Sequence, residues 1–504
     1  MIKIFFSKKK ILLIIISCIC AVAVISMKLH LLETAPSVFE SNVLVQKSMD
    51  TYEINADFDS VEKILTAQQK VTYTNNEKIS FDSLYFHLYP NAFKTEKSAP
   101  FDKSEMKKAY PKGFETGCIH INTIKSDEKE LKHTIMGLGD SVLKIDLPKE
   151  LKPGEKIEIV FDFYVKIPPS CGRFGYGEDT INIGNWYPVI AVFDRKGWNL
   201  DPYYAIGDPF YSNTSNYRVS ISAPKEYILA SSGNIIKKEE INGKLRWTLE
   251  ANNVRDFAMI MSGNFHVLKD EVDGVKIYAY SIEEEFGPVA LETARDAIEI
   301  FSNLYGKYPY EQFSVAASDF FIGGMEYPNL VFIDKTLYTE EAKEMMEYVV
   351  AHEVAHQWWY GIVGNDEVNE PWLDEAITEY STVLYYENKY GKETKDRVYK
   401  NMIAKYYYAY ENSQPQNDMI VYRGIKEFKD SLEYQMLVYY KGAMFMENLR
   451  NELGDDVFFK AMRVYFDKYK YKNAKTEDFV KVCEHISNKN MRENFKKWLK
   501  YTCE

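Results

Sequence analysis

Two rhythms of hydrophobic and polar residues divide the chain. Between residues 51 and 269 apolar and polar side chains alternate over short runs, as in residues 65–73, 84–88, 157–165 and 217–221, with Gly, Asn, Pro and Asp between the runs. A period of two puts every second side chain on one face of a strand, and those breakers turn the chain. The pattern predicts an all-β domain of sandwich or saddle type. Near Ser281 the rhythm changes: Leu291, Ala294, Ile298 and Phe301 recur at helical spacing, residues 312–317 read as a strand leading into Gly323, and the remainder is mostly helical, including residues 479–485 and 491–501. The expectation is a multidomain α and β protein, with a β-rich N-terminal domain over residues 51–269 and a mainly helical domain over residues 270–504.

One stretch fits neither rhythm. Residues 11–27 are uncharged and largely apolar, and they follow Lys3, Lys8, Lys9 and Lys10. That length is at the low end for a membrane-spanning helix, and the lysines favour a cytoplasmic N-terminus. Residues 1–30 are expected to be a cytoplasmic tip and uncleaved signal anchor, followed by a linker over residues 31–50, in a single-pass cell-membrane protein with its bulk outside the cytoplasm. The alternative, a removed signal peptide or a lipid anchor at Cys18, exports the chain equally well.

Composition narrows the partners. A net charge of -12, without a basic cluster beyond the N-terminus, excludes nucleic acid as a partner. Outside the anchor stand Cys118, Cys171, Cys483 and Cys503. Four cysteines in a chain this long are not a disulfide scaffold; one or two bridges, or free buried thiols, both suit them. His87 reads as a structural strand histidine, because no partner stands at metal-ligand spacing from it.

The chemistry concentrates in His352-Glu353-Val354-Ala355-His356, with Glu375 nineteen residues past His356. On a helix, positions i and i+4 share one face, so both imidazoles can meet one metal while Glu353 projects beside them. Two histidines and a glutamate form a known catalytic zinc set that keeps a fourth position open. The apolar run Met345, Met346, Val349 and Val350 gives the first helix a reason to be buried, with Glu340 and Glu341 expected in its first turn. A turn-rich segment follows, and a second helix is expected from an Asn369 cap, with Pro371 in its first turn, to Gly391. This helix-reversal-helix returns Glu375 to the histidines. One Zn2+ per chain is expected, with Glu353 as general base.

The same residues carry a resemblance. His352-Glu353-Val354-Ala355-His356 followed by Trp372-Leu373-Asp374-Glu375-Ala376 resembles the gluzincin aminopeptidases, the aminopeptidase N and leukotriene-hydrolase family. Gly323-Gly324-Met325-Glu326 is similar to that family's exopeptidase motif, and Tyr439-Tyr440-Lys441-Gly442 to its catalytic tyrosine motif. The resemblance implies a thermolysin-like catalytic domain over residues 270–504 and hydrolysis of N-terminal residues from peptide substrates. It also implies an open cleft, because the chain ends where the family's second domain should end. It makes Tyr439 the oxyanion donor and Glu326 the acceptor of the substrate α-amine, with Gly323, Gly324 and Met325 lining the substrate. The family's second amine-binding acid is expected before Trp186, at Glu178 or Asp179. Tyr327 stands where the family usually has Asn, which keeps a zinc endopeptidase of weak exopeptidase selectivity open as an alternative; a non-catalytic peptide-binding relative is the other. Glu379 is expected to be solvent-exposed, with a hold on a zinc-bound histidine as its other reading. Trp358, Trp359 and Trp372 are expected in the core; Tyr434 stands near the family's second active-site tyrosine and suits the core equally.

Overall fold

In the computed structural model, which describes residues 49–501, the alternating half of the chain forms an eight-stranded sheet. Its strands are β1 (Asp50–Asp59), β2 (Ile64–Thr74), β3 (Cys118–Ser126), β4 (Lys129–Glu130), β5 (Lys156–Lys166), β6 (Ser215–Pro224), β7 (Asn234–Ile241) and β8 (Lys244–Val254), in the order β7-β8-β6-β1-β2-β5-β3-β4. All neighbours are antiparallel except β1 and β6, which run parallel with Asp50 opposite Ser215. In β5 the period of two is plain: Ile159, Phe161, Phe163 and Val165 are buried while the residues between them are half-exposed. Two four-stranded sheets, one containing Phe81–His87 and the other Ile181–Ile183, share the same apolar core. His87 is buried there, its Nε2 3.1 Å from the Asn199 carbonyl and its ring stacked on Tyr89, a structural histidine as expected.

A five-stranded sheet follows: β9 (His266–Val272), β10 (Val275–Ser281), β11 (Gln312–Ser318), β12 (Gly324–Met325) and β13 (Leu330–Asp334), in the order β9-β10-β11-β13-β12. The three inner strands are parallel, and the short β12 closes the edge antiparallel to β13. Both faces of β11 and β13 are buried, whereas the edge strand β9 is largely exposed. Val315, Ala317, Val331 and Ile333 point into a helical core, whereas Ala316, Met325, Leu330 and Phe332 point into the core of the β domain. This part of the sheet is thus a wall between two apolar layers, which is why β13 reads as an almost continuous hydrophobic run. Because β9 begins at His266, the change of layer comes a few residues before the expected position 270.

Three helices pack on the other side: α1 (Gly287–Tyr305), α2 (Lys343–Ala355) and α3 (Trp372–Tyr390). Glu340 and Glu341 precede α2, leaving Glu344 as the acid of its first turn. Pro371 is the N-cap residue of α3, so that helix starts later than an Asn369 cap implies; Gly391, at φ 87°, ends it as expected. Every side chain from Trp372 to Tyr386 is buried, so α3 runs through the middle of the domain. Helices Thr476–Ser487 and Arg492–Leu499 complete the core, which also holds Trp358, Trp359 and Trp372. Cys118, Cys171 and Cys483 are free. The expected anchor, the linker up to residue 48 and Cys503 lie outside the described residues; among those described, no helix is long and apolar enough to cross a membrane.

Candidate metal centre and active site

His352 and Glu353 lie in the last turn of α2, and His356 caps it. One helical turn separates the imidazoles, and their Nε2 atoms stand 3.1 Å apart. The chain then reverses tightly, with Tyr360 at φ 113°, a conformation few non-glycine residues adopt. The first turn of α3 brings Glu375 back, its Oε2 3.3 Å from His356 Nε2 and 3.5 Å from His352 Nε2. Three ligands bonded tetrahedrally to zinc at about 2.0–2.1 Å would stand about 3.3 Å apart, so this triangle has the right size. Glu375 Oε2 is buried and meets only the two imidazole edges, an arrangement costly for a carboxylate unless a cation stands among them. The residues present therefore fit a zinc ion.

The far side of each ring fixes which nitrogen faces the triangle. His356 Nδ1 is 3.1 Å from the Trp359 carbonyl and 3.2 Å from Thr378 Oγ1. His352 Nδ1 is 3.0 Å from Glu379 Oε2, and Tyr348 donates its hydroxyl to Glu379 Oε1 at 2.6 Å. An Nδ1–H held by an acceptor leaves the Nε2 lone pair for a metal. Glu379 is only 2% exposed, so it is a buried partner of His352 and not the expected surface acid. Residues four apart on a helix share a face, and α3 is buried on every face near its start, which sequence spacing does not reveal. Burial opposes protonation of His352, but hydrogen bonds to Glu375 and Glu379 outweigh it and lift the imidazole to about 10. Burial likewise acts to raise Glu375, yet the charge of His356 and the two imidazole hydrogen bonds bring it down to about 2.

Glu353 faces the edge strand. A Cβ on Gly324 would run into the Glu353 carboxylate, so glycine at 324 makes room for that side chain. Gly323 stands at φ 99° with open space around its Cα, and the backbone turn requires glycine there. Burial raises Glu353 to about 7, and its Oε2 has no hydrogen-bond partner. Met325, expected along the substrate, is fully buried in the β-domain core, where its sulfur accepts from Arg173 Nε at 2.9 Å. Tyr327 is buried in the same core and donates to Asn185 Oδ1 at 3.1 Å. With residues 325 and 327 both rooted in the β domain, extended-chain alternation turns Glu326 the other way, toward α2.

Glu326 consequently meets a group of acids. One oxygen each from Asp208, Glu326 and Glu375 lie within 4.8 Å of one another, and the same holds for ligand atoms of Glu326, His356 and Asp374. Asp208 comes from the loop before β6 and is paired with the Arg173 guanidinium. Asp208, not the expected Glu178 or Asp179, is the acid of this group that stands beside Glu326; Asp179 binds Lys335 and accepts from Asn264 Nδ2 at 3.0 Å. Only an acid in the otherwise apolar and aromatic Gly207-Asp208-Pro209-Phe210-Tyr211 stretch hinted at it. Burial, and next the charge of Asp208, push Glu326 well above the usual carboxylate range.

Tyr439 completes the site. It lies in Gln435–Lys441, a π-type turn between the helices Ser431–Tyr434 and Gly442–Leu453. Such widened turns recur at functional sites because they re-aim side chains within a helix. The Tyr439 hydroxyl donates to Glu375 Oε1 at 2.6 Å, and its ring lies over His352 at 5.7 Å. Tyr440 points elsewhere, against Tyr406, and Tyr434 is buried with its ring edge-on to Tyr439. A triangle of metal-ligating atoms, a free buried carboxylate, a tyrosine hydroxyl and a paired set of acids thus lie together at the end of α2.

Against known proteins, residues 289–498 match the description "Peptidase family M1 domain". The chain carries a peptidase family M1 domain. The β-rich half followed by the helical half is the architecture of that family, and the M1 domain spans α1, the site and both C-terminal helices. The chain is 23% identical over 475 residues to "Probable aminopeptidase 2" of Sulfurisphaera tokodaii, covering 90% of this chain and 53% of that protein. It is 25% identical over 352 residues to "Endoplasmic reticulum aminopeptidase 2" of Bos taurus, covering 66% of this chain and 36% of the other. It therefore spans about half or less of the length of these curated relatives. A similar fold is found in the "M1 zinc metallopeptidase from Deinococcus radiodurans", with a TM-score of 0.61 at 15% identity over 91% of this chain and 94% of that one.

Proposed function

We propose that this protein is a zinc aminopeptidase that removes N-terminal residues from peptides, with one zinc ion held by His352, His356 and Glu375. The observation that carries the reading is Glu326, turned toward His356 with Asp208 beside it. Two buried carboxylates next to a metal site form a receptor for one cation. The cation that stands one residue from a scissile bond is a peptide's free α-ammonium, held by charge-assisted hydrogen bonds. Zinc bound by such a set supplies Lewis acidity toward a carbonyl oxygen and toward water. Glu353, with one carboxylate oxygen unengaged, takes the proton from the attacking water and passes it to the leaving amine. Tyr439 donates its hydroxyl toward the carbonyl oxygen as negative charge develops there. Tyr327 supports the exopeptidase reading, since its bond to Asn185 fixes the direction of Glu326.

A peptide with a free N-terminus and its N-acetylated twin test this by mass spectrometry of the products. The free peptide is expected to lose its first residue and the acetylated one to resist, because acetylation removes the charge that Glu326 and Asp208 accept. Equal internal cleavage of both would overturn the aminopeptidase reading and leave a zinc endopeptidase. The apolar run 11–27 behind four lysines supports a single-pass anchor with the peptidase outside the cytoplasm. Cleavage of an externally added peptide by intact cells tests that location, and activity confined to lysed cells overturns it.

A further inference from the structure

A cleft of about 460 Å³ opens against the N-terminal half of α2. Its wall is aromatic: Tyr348 and Tyr386 stack at 6.2 Å, and Tyr386 and Tyr390 at 5.9 Å. Glu341 and Glu344 stand exposed at its rim, beside Glu347, whose Oε1 accepts from the Tyr385 and Tyr390 hydroxyls at 2.8 and 2.7 Å. Of the three carboxylates in the lining Glu347 is already paired with Lys389 Nζ at 3.3 Å, which leaves Glu341 and Glu344 against one guanidinium of the lining, that of Arg397. Aromatic faces with a carboxylate rim take an organic cation on an apolar stem: the rings hold the stem and attract the charge, and the carboxylates meet the head.

The position along α2 says which cation. Glu326 lies beside His356, whereas Tyr348, in the cleft wall, connects through Glu379 to His352. With the ammonium on Glu326 beside His356 and the scissile bond at Glu353, nearly one helical turn earlier on α2, the leaving side of the peptide runs toward the start of that helix. Met345, in the cleft lining, precedes His352 by seven residues, about 10 Å at about 1.5 Å per residue. An extended peptide covers that in about three residues.

We propose that this cleft binds the basic side chain, lysine or arginine, of the third or fourth residue of the substrate, so that peptides carrying one there are the preferred class. The proposal rests on the aminopeptidase reading, which fixes the peptide's direction. Calorimetric binding of hexapeptides to the Glu353→Gln protein, with a single Lys or Gln placed in turn at positions two to five, tests it without turnover. Lys at position three or four is expected to bind about fivefold or more tighter than its Gln twin, the size of an exposed cation–π contact plus an ion pair. The advantage should shrink at about 0.5 M salt, where the screening length is only a few ångströms, and vanish in Glu341→Gln/Glu344→Gln on the same background. Equal affinities would overturn the proposal, as would an advantage that survives the double replacement or one that follows a free C-terminal carboxylate, the sign of Arg397 reading that group instead. Cleavage of an aminoacyl reporter, which has no third residue, tests the aminopeptidase reading alone, so failure of either is distinguishable from failure of the other.

Discussion

Removing the charge of Glu379 is expected to loosen zinc without moving a ligand. Its Oε2 lies 3.0 Å from His352 Nδ1 and its Oε1 accepts from Tyr348, in surroundings that leave it 2% exposed. Glu379→Gln keeps the shape and one acceptor but turns a charge-assisted bond into a neutral one. The former contributes about 1.5–3 kcal/mol and the latter about 0.5–1.5, a loss of about 1–1.5 kcal/mol, or roughly tenfold in zinc affinity. Partners of metal-bound histidines that are lost altogether cost about 10–100-fold, so Glu379→Ala should fall further along that range. Competition against a chromophoric chelator reads the dissociation constant directly, with stoichiometry from elemental analysis. Tyr348→Phe, which leaves Glu379 without its donor, should act in the same direction by about threefold, and the double variant should fall short of the product of the two because they share one chain of bonds. A zinc affinity within about twofold of the parent in Glu379→Ala would refute the reasoning, since the imidazole would then be held by packing alone.

Other perturbations separate the parts of the site. His356→Ala should bind well under one zinc per chain by elemental analysis, and in the parent protein chelation should abolish hydrolysis and zinc restore it, as a two-His, one-Glu ligand set requires. Glu353→Gln should keep the metal yet lose at least about a hundredfold in turnover, and Tyr439→Phe about the same, whereas Tyr440→Phe should be nearly silent; steady-state kinetics with metal content measured alongside decides, and the reverse order of the two tyrosines would contradict the geometry. Gly324→Ala forces the Glu353 carboxylate aside, so activity should drop by a factor similar to Glu353→Gln while zinc stays bound. Burial lowers His87 to about 4, so the unfolded chain, with histidine near about 6.5, binds the extra proton between those values, and stability present above about pH 6.5 is lost as pH falls toward 4. His87→Gln should remove about 2 kcal/mol of the stability loss between about pH 7 and pH 5 in urea titrations, and an unchanged loss would show that His87 is not its source.

The local rules carried far along this chain. Alternation in residues 157–165 was enough to mark a half-buried strand, and the i, i+4 histidines with Glu375 nineteen residues on were enough to mark three ligands, because strand period, helix period and ligand chemistry are all properties of neighbouring residues. Tyr439 was reached through its motif, although nothing in the sequence showed the widened turn that aims it. Glycine at 323 and 324 was legible as a need for space, but whose space was not: the carboxylate that excludes a Cβ at 324 belongs to a residue on another element.

What the tertiary structure alone decided is where the charges meet. Asp208 lies far from Glu326 in the chain, and the family resemblance pointed before Trp186 to Glu178 or Asp179, yet the fold gives Asp179 to Lys335 and brings Asp208 to the metal site on the arm of Arg173. Met325 turned inward because the strand it pairs with, β13, is buried on both faces, which a strand of two residues cannot announce. Glu379 is buried because α3 crosses the centre of its domain, and a polar residue on a fully enclosed helix must find partners, here Tyr348 and His352. The sequence determines periodicity and ligand type, which depend on residues a few positions apart. Burial and electrostatic company depend on which distant segments the sheets bring together, and the pattern along one strand or helix does not contain them.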